Sequence, residues 1–371
     1  MRGQSAQHTL VIPAWASADG PSNDIVLSTR ARLARNIADL TFPTHARDAD
    51  LKRAADLVLD AIHNAGGSSE RIGALRVIHT SRLSEFERLA LVDARVASRR
   101  HVDGGKYRPI VLNDSGTLSV MVNEEDHLRI QCILPGLQPM TAVQMAQEFD
   151  AFLGSKIRYA RTDNHGYLTS SLANIGTGFR LSVMLHLAGL SFLGEAVPTL
   201  TAAAELKISV RGLFGEGTKA FGDIFQVSNE TTMGFSEKEI ASRVRAAAEH
   251  LMSREKGARR RIASEKKEEL AEAVEHIKAR VMAATVLTGN EAMACISMLR
   301  LADAVGFKPG LSVRDFNELL VAMRLGTSAA GGRPTDSMTA DVKRAKLLRD
   351  KLMEQTGELQ LAFFEESEQE P

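Results

Sequence analysis

Only two cysteines, Cys132 and Cys295, occur in 371 residues. They are too few and too far apart for a disulfide framework or a structural zinc site, and they fit a reducing cytoplasm. Neither sign of charge is in excess: Lys plus Arg number 46, and so do Asp plus Glu. A nucleic-acid binder carries a basic surplus, so that class is set aside. Long apolar runs are missing as well. Leu10-Val11-Ile12 is cut off at once by Pro13, too short for a signal-peptide core, and no later run approaches a membrane span. The expectation is a soluble cytoplasmic protein with neither a membrane nor a nucleic acid as partner.

What is present is ordinary globular material, 44% hydrophobic and 25% charged, enough for one large domain and a smaller one. Residues 1–23, rich in Gly, Pro, Ser and Asp, read as an irregular N-terminal segment. The spacing of Leu51, Ala55, Leu57, Val58 and Ile62 predicts a helix over 48–66, stopped by Gly66-Gly67. Strand-like runs follow at 74–78, 109–112, 118–122 and 128–133, with Asn113-Asp114-Ser115-Gly116 as a hairpin turn between the middle two. A helix is expected over 139–154 and another over Phe179–Leu187, behind Gly176-Thr177-Gly178. Residues 206–212 and 223–229 read as further strands.

From Ser236, which pairs with Glu239 as a capping box, the chain becomes dense in Ala, Glu, Lys and Arg and nearly free of Gly and Pro. Its basic run Arg259-Arg260-Arg261 reads as a solvated helix face. More helices are expected at 290–304, 312–324 and 339–355, with a loop at 326–332 and an acidic tail after Glu366. The organisation is a mixed α/β domain followed by a helical one.

Three features carry chemistry. In Ser28-Thr29-Arg30-Ala31-Arg32, the two arginines alternate, so on an extended segment both project to one side and offer paired guanidinium forks to phosphate oxygens. Asn123-Glu124-Glu125-Asp126-His127-Leu128-Arg129 follows a strand-like run, and nothing nearby completes a metal-ligand set around His127. Two glycine-bearing loops, Asn174 to Arg180 and Arg211 to Gly217, each bring an arginine, and neither has the Gly-Lys-Ser/Thr of a Walker loop. Arg30, Arg32, Arg129, Arg180 and Arg211 could converge on one polyphosphate, whose transfer needs positioning and positive charge. Glu125 and Glu216 could grip a cationic acceptor. A guanidinium, with pKa above about 12, must shed a proton as its nitrogen attacks, and flanking carboxylates align it and take that proton.

These blocks, with Ile-Phe-Gln-Val-Ser-Asn at 224–229, stand in an order that resembles the ATP:guanido phosphotransferases over residues 24–254. The branch most resembled is the bacterial protein-arginine kinases, because the extra helical domain follows the catalytic region instead of preceding it. The resemblance implies an α+β fold with a largely antiparallel central sheet flanked by helices (guanido kinase/glutamine-synthetase-like), and an all-helical C-terminal domain at 255–371. It implies Mg2+ and ATP as cofactors, with no metal ligand from the protein. ATP would be held by Ser28, Thr29, Arg30, Ala31 and Arg32, by Arg129, by Arg180, Leu181, Ser182, Val183 and Met184, and by Arg211, Gly212, Leu213, Phe214 and Gly215. Glu125 would be the principal catalytic carboxylate, with Glu124 beside it and Glu216 as the second guanidinium-binding carboxylate.

The implied activity is phosphorylation of arginine in proteins. The alternatives are a kinase for free arginine or another small guanidino compound, and a non-catalytic phosphoarginine-binding regulator. Implied partners are substrate proteins with exposed arginine, a Clp-type protease system, an activator protein and a second copy of the chain. The sequence departs from the family in places. Ser171-Leu172-Ala173-Asn174 replaces Cys-Pro-Ser/Thr-Asn, leaving Ser171 and Asn174 to position the guanidinium. Arg95 stands where the branch often has an ATP-binding histidine. An allosteric phosphoarginine motif is reduced to Asp341, Arg344 and Ala345, without its first arginine.

Overall fold

Side-chain alternation along one strand sets the plan of the molecule. In β1 (Val26–Arg35), Ala31 and Leu33 are wholly buried among apolar neighbours, whereas Arg30 and Arg32 are only partly covered and face the other way. The computed structural model describes residues 13–63, 72–204, 208–212, 220–307, 311–325 and 339–353. Within these, β1 lies inside an eight-stranded sheet. Its other strands are β2 (Leu75–His79), β3 (Pro109–Asn113), β4 (Leu118–Val122), β5 (Leu128–Pro135), β8 (Phe179–His186), β9 (Ile208–Gly212) and β10 (Ile224–Asn229), and a separate hairpin is formed by β6 (Arg161–Thr162) and β7 (Gly166–Tyr167). The order is β2-β3-β4-β5-β1-β8-β10-β9 and every pairing is antiparallel, as expected.

One face of this sheet is apolar. Ala31, Leu33, Ile130, Cys132, Leu181, Val183 and Val227 project from it into the main core. That core is completed by α2 (Asp48–His63), by α5 (Pro139–Gly154) with Ala146 and Phe149, and by α8 (Glu237–Glu265) with Val244 and Leu251. α5 starts on a proline at its first position, where no helical N–H is needed. α8 opens on the expected capping box: Glu239 N–H donates to Ser236 Oγ and Ser236 N–H to Glu239 Oε2.

The opposite face is covered only at its ends. On the β2–β4 side, α3 (Glu85–Asp93), α4 (Arg99–Val102) and residues 94–97 lie over Ile110, Leu112 and Met121. The other end meets a second core, in which Ile133, Met184 and Ile224 join Trp15 of α1 (Ala14–Ser17) and the C-terminal helices α9 (Lys267–Ala283), α10 (Gly289–Val305) and α11 (Val313–Leu325). Two short helices, α6 (Ala188–Phe192) and α7 (Ala196–Ala204), connect β8 to β9, and a helical stretch at 339–353 adds Ala345, Leu348 and Leu352 to the second core. Between the two covers an open trough remains over β5, β1 and β8.

The helix expected over Phe179–Leu187 is instead β8. Phe179, Leu181, Val183 and Leu185 are buried in the main core and alternate with Arg180, Ser182 and Met184, a period of two that a helix cannot satisfy. Gly178 (φ +61°) is there for close strand approach: a Cβ would sit 2.6 Å from the Ala34 carbonyl oxygen. Arg259 is also not solvated. It is buried against Glu255, whose carboxylate in turn accepts from the N–H groups of Gly189 and Leu190 at the start of α6. The position 254/255 lies inside α8, which is unbroken there and passes from the main core (Leu251, Ala258) to the second (Ile262). The 326–332 loop and the acidic tail lie outside the described residues. No described helix is long and apolar enough to cross a membrane.

Candidate active site

Strand register gathers the arginines. Arg32 lies directly opposite Arg180 on β8 and Gln131 on β5, while Arg30 lies opposite Ser182. Arg129, two residues from Gln131, shares that face, and Gln226 on β10 pairs with Arg211 on β9. Arg30, Arg32, Arg129, Arg180 and Arg211 therefore lie on three neighbouring strands, β5, β1 and β8, and on β9 at the edge. Their partners are thin. Arg30 Nη2 donates to Gln226 Oε1 at 3.2 Å, Arg180 Nη2 to Ser228 Oγ at 3.3 Å, and the Nε atoms of Arg30, Arg32 and Arg180 have no protein partner. Among the described residues, only Arg129 of the central four has a carboxylate, Glu124 at 3.0 Å.

Cations crowded this way repel one another. Burial, then Arg129 and Arg180, pull Arg30 down to about 9, and burial with Arg30, Arg129, Arg180 and Arg95 pulls Arg32 well below its ordinary value. Arg180 is lowered by burial, then by Arg211 and Arg129. A polyanion would relieve this tension and fill the idle donors. A cavity of about 250 Å³ lies among Arg30, Arg95, Arg129, Gln131 and Gln226, with Val92 and Met121 as its apolar wall. Sequence reasoning missed Gln131 and Gln226, which belong to no charged motif. Arg95 sits here with φ +62°, its guanidinium 5.5 Å from the Trp15 ring and its carbonyl accepting from Gln131 Nε2.

A second cavity, of about 170 Å³, meets the first at Arg129 and is lined by Glu124, Glu125, Ser171, Asn174, Arg32 and Arg180, among others. The acidic residues come from the tight β4–β5 turn, which Asn123 (φ +60°) reverses while its side-chain amide donates to the carbonyls of Leu51 and Tyr107. Glu124 is buried. Burial alone would raise its carboxyl, but Arg129, the Ser98 hydroxyl and the Glu125 N–H hold it below the usual value. It is fixed and ionised. Glu125 differs: its carboxylate accepts no hydrogen bond among the described residues, and it is half-exposed in the cavity. One idle carboxylate beside one anchored carboxylate suits a group that receives a proton next to a group that steadies charge.

The remaining expected residues divide by strand parity. Ser182 shares the arginine face, whereas Thr29, Ala31, Leu181 and Val183 point into the apolar side. Thr29 is wholly buried and its hydroxyl donates to the Gly136 carbonyl. Ser28 and Met184 lie on the arginine face but beneath the C-terminal cover. Gly212 is buried at the end of β9, and Leu213, Phe214, Gly215 and Glu216 lie outside the described residues. Asp341, Arg344 and Ala345 are far along the chain in the second core. Arg344 is turned onto Asp341 and the Met323 carbonyl, and Ala345 is fully buried. His127 Nδ1 accepts from Ile37 N–H, and no group of three or more His, Cys, Asp or Glu among the described residues is arranged to hold a metal ion.

Burial holds the His127 imidazole down to about 4, and burial, partly countered by Glu124, does the same for His101. The unfolded chain protonates these rings first, near 6.5, so it binds more protons between the two values and stability falls as pH drops below 6.5. The raised carboxyls of Asp126 and Asp223 work the other way at lower pH, because burial favours their protonated form in the fold. The urea midpoint is therefore expected to drop as the pH is lowered from about 7 through about 6. An unchanged midpoint would show that these imidazoles titrate as in water.

Comparison with known proteins shows the family. The family model for ATP:guanido phosphotransferase, C-terminal catalytic domain, matches residues 57–258, and that for the protein-arginine kinase McsB C-terminal domain matches 267–361. A protein-arginine kinase of Pelotomaculum thermopropionicum is 38% identical over 336 residues, covering 90% of this chain and 94% of that protein. One of Geobacillus stearothermophilus is 36% identical over 350 residues, covering 93% and 95%. Among solved structures, the substrate-free duplicated taurocyamine kinase of Schistosoma mansoni aligns with TM-score 0.54 and 25% identity over 65% of this chain, which spans only 33% of that duplicated one. A lombricine kinase aligns with TM-score 0.53 over 67% of this chain and 70% of its own, at 22% identity, a likeness of fold.

Proposed function

This chain belongs to the ATP:guanido phosphotransferase family, and on that footing we propose that it transfers the γ-phosphoryl group of ATP to the guanidinium of arginine residues in proteins. The observation that carries the reading is the pair of cavities meeting at Arg129, one walled by guanidiniums and the other by carboxylates. The arginines bind the phosphates and neutralise charge on the group in flight. Mg2+ arrives with the nucleotide. An acceptor Nη attacks the γ-phosphorus, the bond from phosphorus to the β,γ-bridging oxygen breaks, ADP leaves, and Glu125 takes the proton the nitrogen sheds. Glu124 keeps its charge and steadies the guanidinium, with Glu216 as the second carboxylate. The wider reading, by resemblance, is a cytoplasmic homodimer that marks proteins for a Clp-type protease under an activator's control, and a catalytic domain ending near residue 254.

Phosphorus NMR after incubation with Mg-ATP tests the proposal, one sample holding an unstructured arginine-containing protein and another free arginine. An acid-labile N–P signal on the protein alone supports it. Signal on free arginine alone moves the enzyme to small guanidino acceptors, and ATP binding without product in either sample points to a missing activator or to a binding protein.

Thiol chemistry gives a second expectation. Ser171 occupies the position of the family's cysteine, and the two cysteines present are buried, with burial pushing the Cys132 thiol up to about 12 and the Cys295 thiol upward. N-ethylmaleimide at neutral pH should leave activity within about twofold, whereas Ser171→Cys should create sensitivity. Rapid inactivation of the unaltered protein would place a reactive thiol in the site and contradict this arrangement.

A further inference from the structure

Two consecutive buried residues at the end of β1, Arg35 and Asn36, take no part in the proposed chemistry, yet they touch both walls of the acceptor cavity. Asn36 is wholly buried and its amide is fully used. Its Nδ2 donates to Asp126 Oδ1 at 2.6 Å and to the Leu168 carbonyl at 3.1 Å, and its Oδ1 accepts from His127 N–H at 2.9 Å. One wall, the acidic turn, is thereby tied to the chain that leads into the other wall at Ser171. The tie is doubled: Ser170 N–H donates to the same Asp126 oxygen at 2.6 Å, and Ser170 Oγ to the Glu125 carbonyl at 2.7 Å.

Arg35 secures the far end of that second wall. Its Nη1 donates to the Thr177 carbonyl at 2.9 Å, its Nε and Nη2 grip the Asp150 carboxylate of α5, and its guanidinium lies 3.6 Å from the centre of the Tyr167 ring. These bonds hold the segment 168–178 at both ends, and they hold it to the strand that also mounts Arg30 and Arg32.

We propose that Asn36, backed by Arg35, is a positioning residue for the acceptor: it sets the separation between Glu125 and Ser171, and so whether a guanidinium seats in line with the phosphate. The inference rests on the guanidinium reading of the second cavity. Its failure is distinct, because that reading is tested on the unaltered enzyme and this one on variants of it. Geometry of this kind acts first on the acceptor, because none of the Asn36 hydrogen bonds reaches a phosphate-facing arginine.

The experiment uses Asn36→Asp, Asp126→Asn and the exchange variant carrying both. Asn36→Asp keeps the shape and the bond from His127 N–H, but sets two carboxylates face to face. The acceptor KM should rise at least about tenfold with ATP affinity within about twofold, and part of the loss should return at lower pH, where the pair shares one proton. The exchange variant restores a donor opposite an acceptor between the two positions, but Ser170 N–H and the Leu168 carbonyl each lose a partner. It should recover part of the acceptor KM relative to either single variant. If Asn36→Asp alone does not fold, the exchange variant compared with Asp126→Asn carries the same test. An unchanged acceptor KM with an unchanged pH profile, equal losses for ATP and acceptor, or an exchange variant no better than the singles would overturn the proposal.

Discussion

Glu125→Gln retains ATP binding and loses arginine phosphorylation by about 10²–10⁴-fold, the range for removing a positioned proton acceptor. The size of this expected loss follows from geometry. Glu124 is anchored by Ser98, Arg129 and a backbone N–H, so it cannot turn to replace its neighbour. Glu125 is the carboxylate of that turn with no competing partner among the described residues. Glutamine preserves the volume and can still accept a hydrogen bond from the guanidinium, but it cannot take the proton. Binding of ATP can be followed through Trp15, the chain's one tryptophan, which packs 5.5 Å from the Arg95 guanidinium in the cavity proposed for the nucleotide. A transfer rate within about tenfold of the unaltered enzyme would move the base role to another group.

Arg32→Met should separate activity from stability. Arg32 is pressed by three neighbouring cations on the same face and by Arg95, and its Nε has no protein partner. Without nucleotide, a methionine of similar length removes repulsion and an unsatisfied donor, so stability should rise by an amount on the order of 1 kcal/mol, modest because the side chain is only partly buried. With nucleotide, the same change removes charge from the transferring phosphoryl group and should cost about 10²–10³-fold in turnover. The measurement is a thermal midpoint with and without Mg-ATP beside a rate assay. A midpoint that falls without nucleotide would mean that Arg32 stabilises the empty fold, and the picture of stored electrostatic tension would be wrong.

Legibility in the sequence followed the reach of each signal. The alternation of Arg30 and Arg32 is local, and the strand that it implies is β1. The antiparallel sheet and the C-terminal helices matched the resemblance. Phe179–Leu187 misleads because a Gly-Thr-Gly turn suggests a phosphate-cradling helix start, and it outweighs the alternation of Phe179, Leu181, Val183 and Leu185 that marks a strand. Arg259 looks like one member of an exposed basic run, because nothing near it in sequence reveals Asp24 or Gly189 packed beside it. Gln131 and Gln226 carry no charge to draw notice, and the contacts of Asn36 cross about ninety to more than a hundred positions of chain. Such groups become visible only when the strands are laid side by side.

Because β1 is hydrogen-bonded along both edges, to β5 and to β8, its amides should be among the last to exchange with deuterated solvent. The arginines mounted on it are thus fastened to the slowest-opening part of the molecule, with loops bearing none of that burden. Partial opening on warming, at the sheet edges or among the short helices, leaves them in place. Heat inactivation should nonetheless precede collapse of the sheet, because Arg211 sits on the edge strand β9 and Glu125 on a turn.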